Sequence, residues 1–426
     1  MSPQPGSTFD AVVVGAGTSG SACALGLARH GLKVALVERR PLFRAGARWI
    51  NLVPRWLIER AGWWPLEKDE LGAPPAVFHI AGPAGRPRVS LTGVDLYPLR
   101  VGVFLARLHR LCRQAGVEIF ERSAAGRLEF SAGRPCALRI SNPSRLLRAG
   151  LFVEASGIRR ALAAQLPALG KPGWEDQQLC CASQWRYRVR DKKGALAFCR
   201  YNDIRPGETL ARNGISGAFS TLSVHVDPEL EVVDALTGCL GRSGSEKLVG
   251  EFAAANRWLG KRLFGGGGLI PLMPRRALFS PGLAVLGDAA GQVFAAHASG
   301  TGAGLVAASF LVEACAGASD PGAAEVLDGY ARRWRDFSGV GFSMAAAFSR
   351  ALAGGSGELV EETLELLSAC PGILRGGLEQ RLRPPDIYGL GGLIMKLTRR
   401  PRFLLRLIGP AAEAALFLAR LRLEPQ

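Results

Sequence analysis

The stretch FDAVVVGAGTSGSACALGLARHGLKVALVER constrains this chain more than any other. Apolar β-formers lead into Gly15-x-Gly17-x-x-Gly20. Helical spacing follows through Ala24 and Ala28 to Gly31, and VALVE then reads as a second strand. Strand, glycine turn, helix and strand in that order predict a βαβ unit on a parallel sheet. Gly15 permits the tight turn, Gly17 lets a pyrophosphate reach the backbone, and Gly20 lets the helix pack closely on the sheet. The helix N-terminus stabilises phosphate charge. Glu38, eighteen residues past Gly20, can accept hydrogen bonds from both hydroxyls of an adenosine ribose. The turn therefore predicts dinucleotide binding, with Ser19 and Arg39 as further contacts. Glu38 disfavours a 2′-phosphate, although Arg39 and Arg40 stand beside it.

Other segments extend the same sheet. LRVGVFLARLHRLCRQAGVEIFER reads as a helix running into a strand, and LRAGLFVEASG and GLAVLGDAAG each read as a buried strand ending in a turn. Long stretches of different character separate them. QWRYRVRD, ALAFCRY and FSTLSVHVD alternate like strands and predict an antiparallel sheet. The expected fold class is α/β, a discontinuous Rossmann domain over 8–60, 96–172 and 265–320. A β-sheet substrate domain over 61–95 and 173–264 is inserted in it, and 321–426 form a helical C-terminal region.

Bulk properties narrow the function. At 426 residues and 48% apolar, the chain is too long for one simple core and too apolar for disorder. It has no run of roughly 18 uncharged apolar residues and no signal-peptide pattern at its start, so a cytoplasmic protein is expected. Nine scattered cysteines without a CxxC pair fit buried small residues, and no spacing suggests a metal site. A net charge of +17 favours anionic partners, but no basic block interleaved with aromatics marks a nucleic-acid surface. Residues 371–426 carry ten Lys/Arg against four Asp/Glu. Arg399, Arg400, Arg402, Arg406, Arg420 and Arg422 lie there among long aliphatics, a pattern suited either to a packed helix pair or to peripheral contact with an anionic membrane.

A second glycine-rich stretch, GLAVLGDAAGQVFAAHASGTGAG, delivers Gly287 and Asp288 from a strand into a loop and a small-residue helix. It resembles the second FAD motif, GDAAGxxxPxxGxG, of the para-hydroxybenzoate hydroxylase type flavoproteins, which include geranylgeranyl reductases and flavin-dependent halogenases. The preceding GGGGLIPLMPRRALFSPG is similar to the GxIP segment of geranylgeranyl reductases, and Arg100 matches the arginine before the FAD-side helix. The resemblance implies a glutathione-reductase-like fold with FAD bound by Gly15, Gly17, Ser19, Gly20, Glu38, Arg39, Arg48, Arg100, Gly287, Asp288, Gly300, Thr301 and Gly302. Asp288 would hold the ribityl chain, and the loop and helix start would lie against the isoalloxazine ring.

Three departures qualify it. Glu154-Ala-Ser156-Gly157-Ile-Arg159 replaces the Asp-Gly pair of the hydroxylases, which leaves open whether NADH, NADPH or a separate reductase supplies electrons. The WxWxIP signature of halogenases and the YxWxFP motif of archaeal geranylgeranyl reductases are both absent. His297 stands where the family places a proline, close to the reacting face, and is the candidate catalytic residue, as hydrogen-bond donor or proton shuttle. The alternative is a loop histidine without a chemical role. His30 and His109 suit surface positions, and His225 suits a structural one. Trp49, Trp56, Trp63 and Trp64 could wall an apolar pocket or simply pack.

The expected function is an FAD-dependent monooxygenase that inserts one oxygen atom, by way of a flavin hydroperoxide, into an aromatic, polyketide or prenylated hydrophobic small molecule. The alternative is geranylgeranyl-reductase-like hydride transfer to isoprenoid double bonds. A halogenase or an electron-transfer flavoprotein ranks below both.

Overall fold

The structure, a computed structural model, describes residues 7–171, 173–381 and 390–398. Its first sheet grows from the predicted βαβ unit. Ser7–Val14 lies between Val34–Val37 and Ser144–Glu154, parallel to both, and Leu283–Val285 and Glu118–Phe120 extend the two sides in parallel. An antiparallel meander, Ala125–Ser131 and Arg134–Ser141, feeds the long strand Ser144–Glu154. The central strands are buried on both faces, as their unbroken apolar runs require.

Helices Thr18–Arg29, Val101–Gln114 and Thr301–Cys315 cover this sheet, and Thr301–Cys315 is apolar almost all round. Small residues set how closely these helices approach. A Cβ on Gly26 would lie 2.6 Å from Val312 Cγ2, so the first helix meets the late one at side-chain contact distance. Each fully buried leucine or valine at such a junction contributes roughly 1.5–3 kcal/mol.

The second sheet has seven strands in the order Leu259–Pro271, Leu179–Val189, Val232–Leu240, Ser220–Val226, Thr209–Asn213, Val77–Ala81 and Arg88–Thr92. Two findings correct the sequence reading. ALAFCRY is helical: Asp191 accepts the Lys193 N–H at 3.0 Å and caps Lys192–Tyr201, and Ala195, Phe198 and Cys199 then turn to one side at helical spacing. The sheet is also not wholly antiparallel, because Thr209–Asn213 and Val77–Ala81 pair in parallel. They come from separate excursions of the chain, so no hairpin constrains their direction. The border expected at residue 265 falls inside Leu259–Pro271, which stays paired with Leu179–Val189 to its last residue.

A two-stranded ribbon, Ile50–Pro54 with Leu96–Arg100, lies between the sheets. Gln184 of the second sheet accepts the Ile50 N–H at 2.7 Å and donates to its carbonyl at 3.1 Å, which docks the sheets through one side chain. Past residue 321 the described chain is helical: Ala324–Leu352, broken at Gly339 (φ 38°), then Gly357–Leu367, Pro371–Leu378 and Leu390–Thr398. No helix among the described residues is long and apolar enough to cross a membrane. The C-terminal arginines from Arg399 onward lie outside the described residues.

Candidate functional site

The first glycine turn closes tightly and leaves one opening. Gly15 has φ +107°, and a Cβ there would come 2.2 Å from the Ala155 carbonyl oxygen; one on Gly20 would come 2.0 Å from the Gly15 carbonyl oxygen. Both positions are sealed by backbone. Gly17 caps the helix Thr18–Arg29 and meets nothing within 4 Å except Gly46 Cα at 3.8 Å. The helix has no side-chain cap and no acid in its first turn. Its free N–H groups and positive dipole end therefore face open space, a fit for the pyrophosphate of FAD.

Glu38, only 7% exposed, closes the turn from the next strand. Its Oε2 accepts the Ala16 N–H at 3.0 Å and its Oε1 accepts the Arg40 N–H at 2.9 Å. Each oxygen keeps a lone pair for a ribose hydroxyl. His109, expected on the surface, is buried beneath the turn, where Nε2 donates to the Ala16 carbonyl at 3.0 Å and desolvation lowers its pKa. Its helical spacing with the apolar Leu105 and Cys112 is the sequence signal for that burial.

Arg100 caps Val101–Gln114, and the Arg48 guanidinium lies 3.4 Å from where a Cβ on Gly102 would sit, so both stand at the start of that helix. Arg39 lies near Arg159, and desolvation, followed by that like charge, lowers its pKa. None of the four forms an ion pair among the described residues. A phosphate-bearing ligand would supply the missing anion.

The second turn is built differently. Gly287 (φ 62°) and Gly291 (φ 64°) bend the chain out of Leu283–Val285, and a Cβ on Gly291 would meet the Met273 carbonyl oxygen at 2.1 Å. The Asp288 carboxylate has no hydrogen-bond donor among the described residues, and desolvation pushes its pKa up to about 6. An acid in that setting gains from the hydroxyl donors of a ribityl chain.

The other candidates in this turn also make packing contacts. The missing side chain of Gly300 makes room for Asp288, whose Oδ1 lies 3.2 Å from that Cβ position. A Cβ on Gly302 would come 2.7 Å from Leu57 Cδ1, and one on Gly304 would come 2.2 Å from Ser19 Oγ. Ser19 thus fills the space between Gly287 and Gly304 and ties the two turns together. Thr301 is held from the ribbon, its Oγ1 accepting from Asn51 Nδ2 at 2.6 Å.

His297 ends a short turn, Ala295–His297, with its ring 5.2 Å from that of Phe294. It is solvent-accessible by surface yet desolvated enough that its pKa falls to about 4, while the carbonyls of Gly377 and Leu378 oppose the fall. A side chain on a concave wall satisfies both observations. Desolvation favours the neutral ring, which can donate one hydrogen bond and accept another.

The four tryptophans do not form one wall. Trp63 packs edge-on to Phe104, Trp64 packs on Tyr97, and Trp56 donates to the Glu379 carbonyl at 2.7 Å. Trp49 alone reaches the second sheet, 3.5 Å from the Cβ position of Gly268. Glu154 explains the altered Asp-Gly pair. Fully buried, it accepts the N–H groups of Ser156, Leu162 and Ala163 at 2.8, 2.5 and 3.1 Å and serves as a backbone anchor.

Comparison with known proteins agrees with this geometry. Residues 10–59 match the FAD dependent oxidoreductase family. The chain is 25% identical over 374 residues to digeranylgeranylglycerophospholipid reductase 2 of Methanothermobacter thermautotrophicus, covering 84% of this chain and 91% of that one. Its fold is shared with a geranylgeranyl bacteriochlorophyll reductase-like protein of Thermoplasma acidophilum (TM-score 0.72, 18% identity, 91% and 99% of the two chains). It is also shared with PqsL of Pseudomonas aeruginosa, described as a probable FAD-dependent monooxygenase (TM-score 0.61, 16% identity, 81% and 97%). Residues 10–59 are thus similar to an FAD dependent oxidoreductase segment, and the chain shares the fold of the geranylgeranyl bacteriochlorophyll reductase-like protein and of PqsL, with the paired glycine turns and the Glu38 and Asp288 acids in place.

Proposed function

We propose that the chain reduces carbon–carbon double bonds of an isoprenoid-type hydrophobic substrate, which reverses the order of the two readings taken from sequence. The observation that carries this is a row of small residues on the second sheet, with the Trp49 ring against one end. Gly268, Ala182 and Gly238 stand side by side across three strands, with Gly266 open beside them. This face carries Gln184, which binds Ile50 next to Trp49 and Asn51, so it looks toward the cofactor site. A slender apolar chain fits a row of glycine and alanine flanked by an indole, and no charged side chain interrupts that row. The likeness to reductases over most of both chains supports the same reading.

Bound FAD supplies the hydride chemistry; the chain's own residues bind, orient and desolvate. The Gly17 opening and the Arg48 and Arg100 guanidiniums hold the pyrophosphate, Glu38 the adenosine ribose, and Asp288 the ribityl hydroxyls. His297, neutral and beside Phe294, orients substrate by hydrogen bonding. Reducing equivalents come from NADH, NADPH or a separate reductase, and the basic C-terminus brings the enzyme to a membrane surface holding its substrate.

The test incubates FAD-loaded, chemically reduced protein with a polyprenyl lipid, with and without oxygen, and weighs the product. Gain of two hydrogens per double bond without oxygen supports reduction. Gain of one oxygen atom, only when oxygen is present, overturns it in favour of monooxygenation, the reading favoured by the likeness to PqsL.

A further inference from the structure

Behind the Gly287–Asp288 turn runs a buried hydrogen-bond relay through Gln292 and Tyr330, two residues to which the cofactor motifs assign no role. The Gly287 N–H donates to Gln292 Oε1 at 2.7 Å, Gln292 Nε2 donates to the Tyr330 hydroxyl at 2.7 Å, and that hydroxyl donates to the Val285 carbonyl at 2.7 Å. Gln292 is 1% exposed and Tyr330 is fully buried. The relay closes a ring. It starts on the last residue of the strand Leu283–Val285, passes through the helix Ala324–Leu352, and returns to the first residue of the turn.

Two features of the turn bear on what the ring holds. Gly287 and Gly291 both sit at positive φ, and between them short-range bonds close the turn, from the Gln292 N–H to the Gly287 carbonyl and from the Gly291 N–H to the Asp288 carbonyl, each 3.1 Å. Asp288, between them, keeps a desolvated carboxylate with no donor among the described residues. A carboxylate with no donor of its own takes its direction from the backbone that carries it, and the held Gly287 amide fixes that backbone. Tyr330 reaches this point from a helix 38 residues beyond Gln292, so the C-terminal region holds the cofactor turn directly.

We propose that Gln292 and Tyr330 are positioning residues for the flavin: by fixing the Gly287 amide they aim Asp288 at the ribityl chain and so set FAD affinity. This rests on the FAD reading of the site. Neither side chain touches the cofactor. Both act through the turn.

Apoprotein is titrated with FAD, followed by quenching of flavin fluorescence, for the wild type, Gln292→Leu, Tyr330→Phe and the double variant. The melting temperature of each apoprotein is measured in parallel. Wild-type apoprotein that fails to take up FAD sinks the cofactor reading itself, independently of the relay. Given wild-type binding, Gln292→Leu is expected to raise the Kd about tenfold or more, from one lost buried hydrogen bond. Tyr330→Phe should raise it several-fold, and the double variant should do little worse than Gln292→Leu alone, because one relay is broken either way. Leu327→Ala, a core truncation one turn from Tyr330, should lower the melting temperature while leaving the Kd within about twofold. The proposal is overturned if the relay variants behave like Leu327→Ala, with lower melting and unchanged Kd. Fully additive effects of the two relay substitutions on the Kd overturn it as well.

Discussion

The two glycine-rich turns look alike in composition and are built on opposite principles. In Gly15–Gly20 the outer glycines are sealed by backbone and the middle one faces open space, so the turn frames a position of the size and polarity that suit a phosphate. In Gly287–Gly304 one glycine, Gly291, is sealed by backbone, and the others meet side chains: Val293 and Asp288 of the same turn at Gly300, Leu57 and Val53 at Gly302, and Ser19 at Gly287 and Gly304. The first turn is defined by its own spacing. The second depends also on what distant segments put against it, so glycine leaves open space in one turn and makes room for side chains in the other.

The sharpest break of this contrast is Gly20→Ala. Its Cβ would overlap a backbone oxygen, which no rotamer change relieves, and a loss of more than about 4 kcal/mol is expected by chemical denaturation. Next is Gly304→Ala, where the clash is with a side-chain hydroxyl. It should cost about 2–3 kcal/mol, and Ser19→Ala in the same chain should restore most of it, because the remaining Cβ lies at 3.5 Å. Failure of that rescue would return Ser19 to the cofactor contacts. Gly17→Ala should change apoprotein stability by only a few tenths of a kcal/mol, yet weaken FAD at least tenfold by intruding on the pyrophosphate position.

Asp288 gives a pH-dependent test. Its folded pKa, about 6, lies above the ordinary carboxylate value, so the apoprotein is fully stabilised only while the group is protonated in both states. That stability is lost as pH rises from about 4 through 6. Flavin hydroxyls favour the charged form, so FAD should bind more tightly as pH rises through 6. Asp288→Asn should weaken binding at pH 7 and flatten this profile. The smallest effect is expected at His297. His297→Ala should leave FAD affinity within about twofold and lower turnover several-fold, and unchanged turnover would make it a wall residue only.

Much of the first sheet was legible, because each strand carries its own unbroken apolar run and its own turn signal. The shape of the first turn could be read for the same reason: Gly15, Gly17, Gly20 and Glu38 lie within one βαβ unit, whereas the choice of FAD rested on the resemblance at the second turn. ALAFCRY was misread because seven residues of mixed character fit either period, and the cap that decides the matter, Asp191, lies outside the quoted run. His109 was misplaced because helix membership alone does not say which face is buried.

Local periodicity thus determined by itself that the chain has a parallel core, a dinucleotide turn and an acid at its far end. Such features depend on residues a few positions apart, whose geometry the backbone dictates. Only the tertiary structure decided that Val77–Ala81 pairs in parallel with Thr209–Asn213, that Ser19 packs between Gly287 and Gly304, and that Tyr330 holds the second turn through Gln292. Those contacts join segments tens to hundreds of residues apart. Their partners are selected by the path of the chain through the fold and the shape of the space it leaves, which no local pattern encodes.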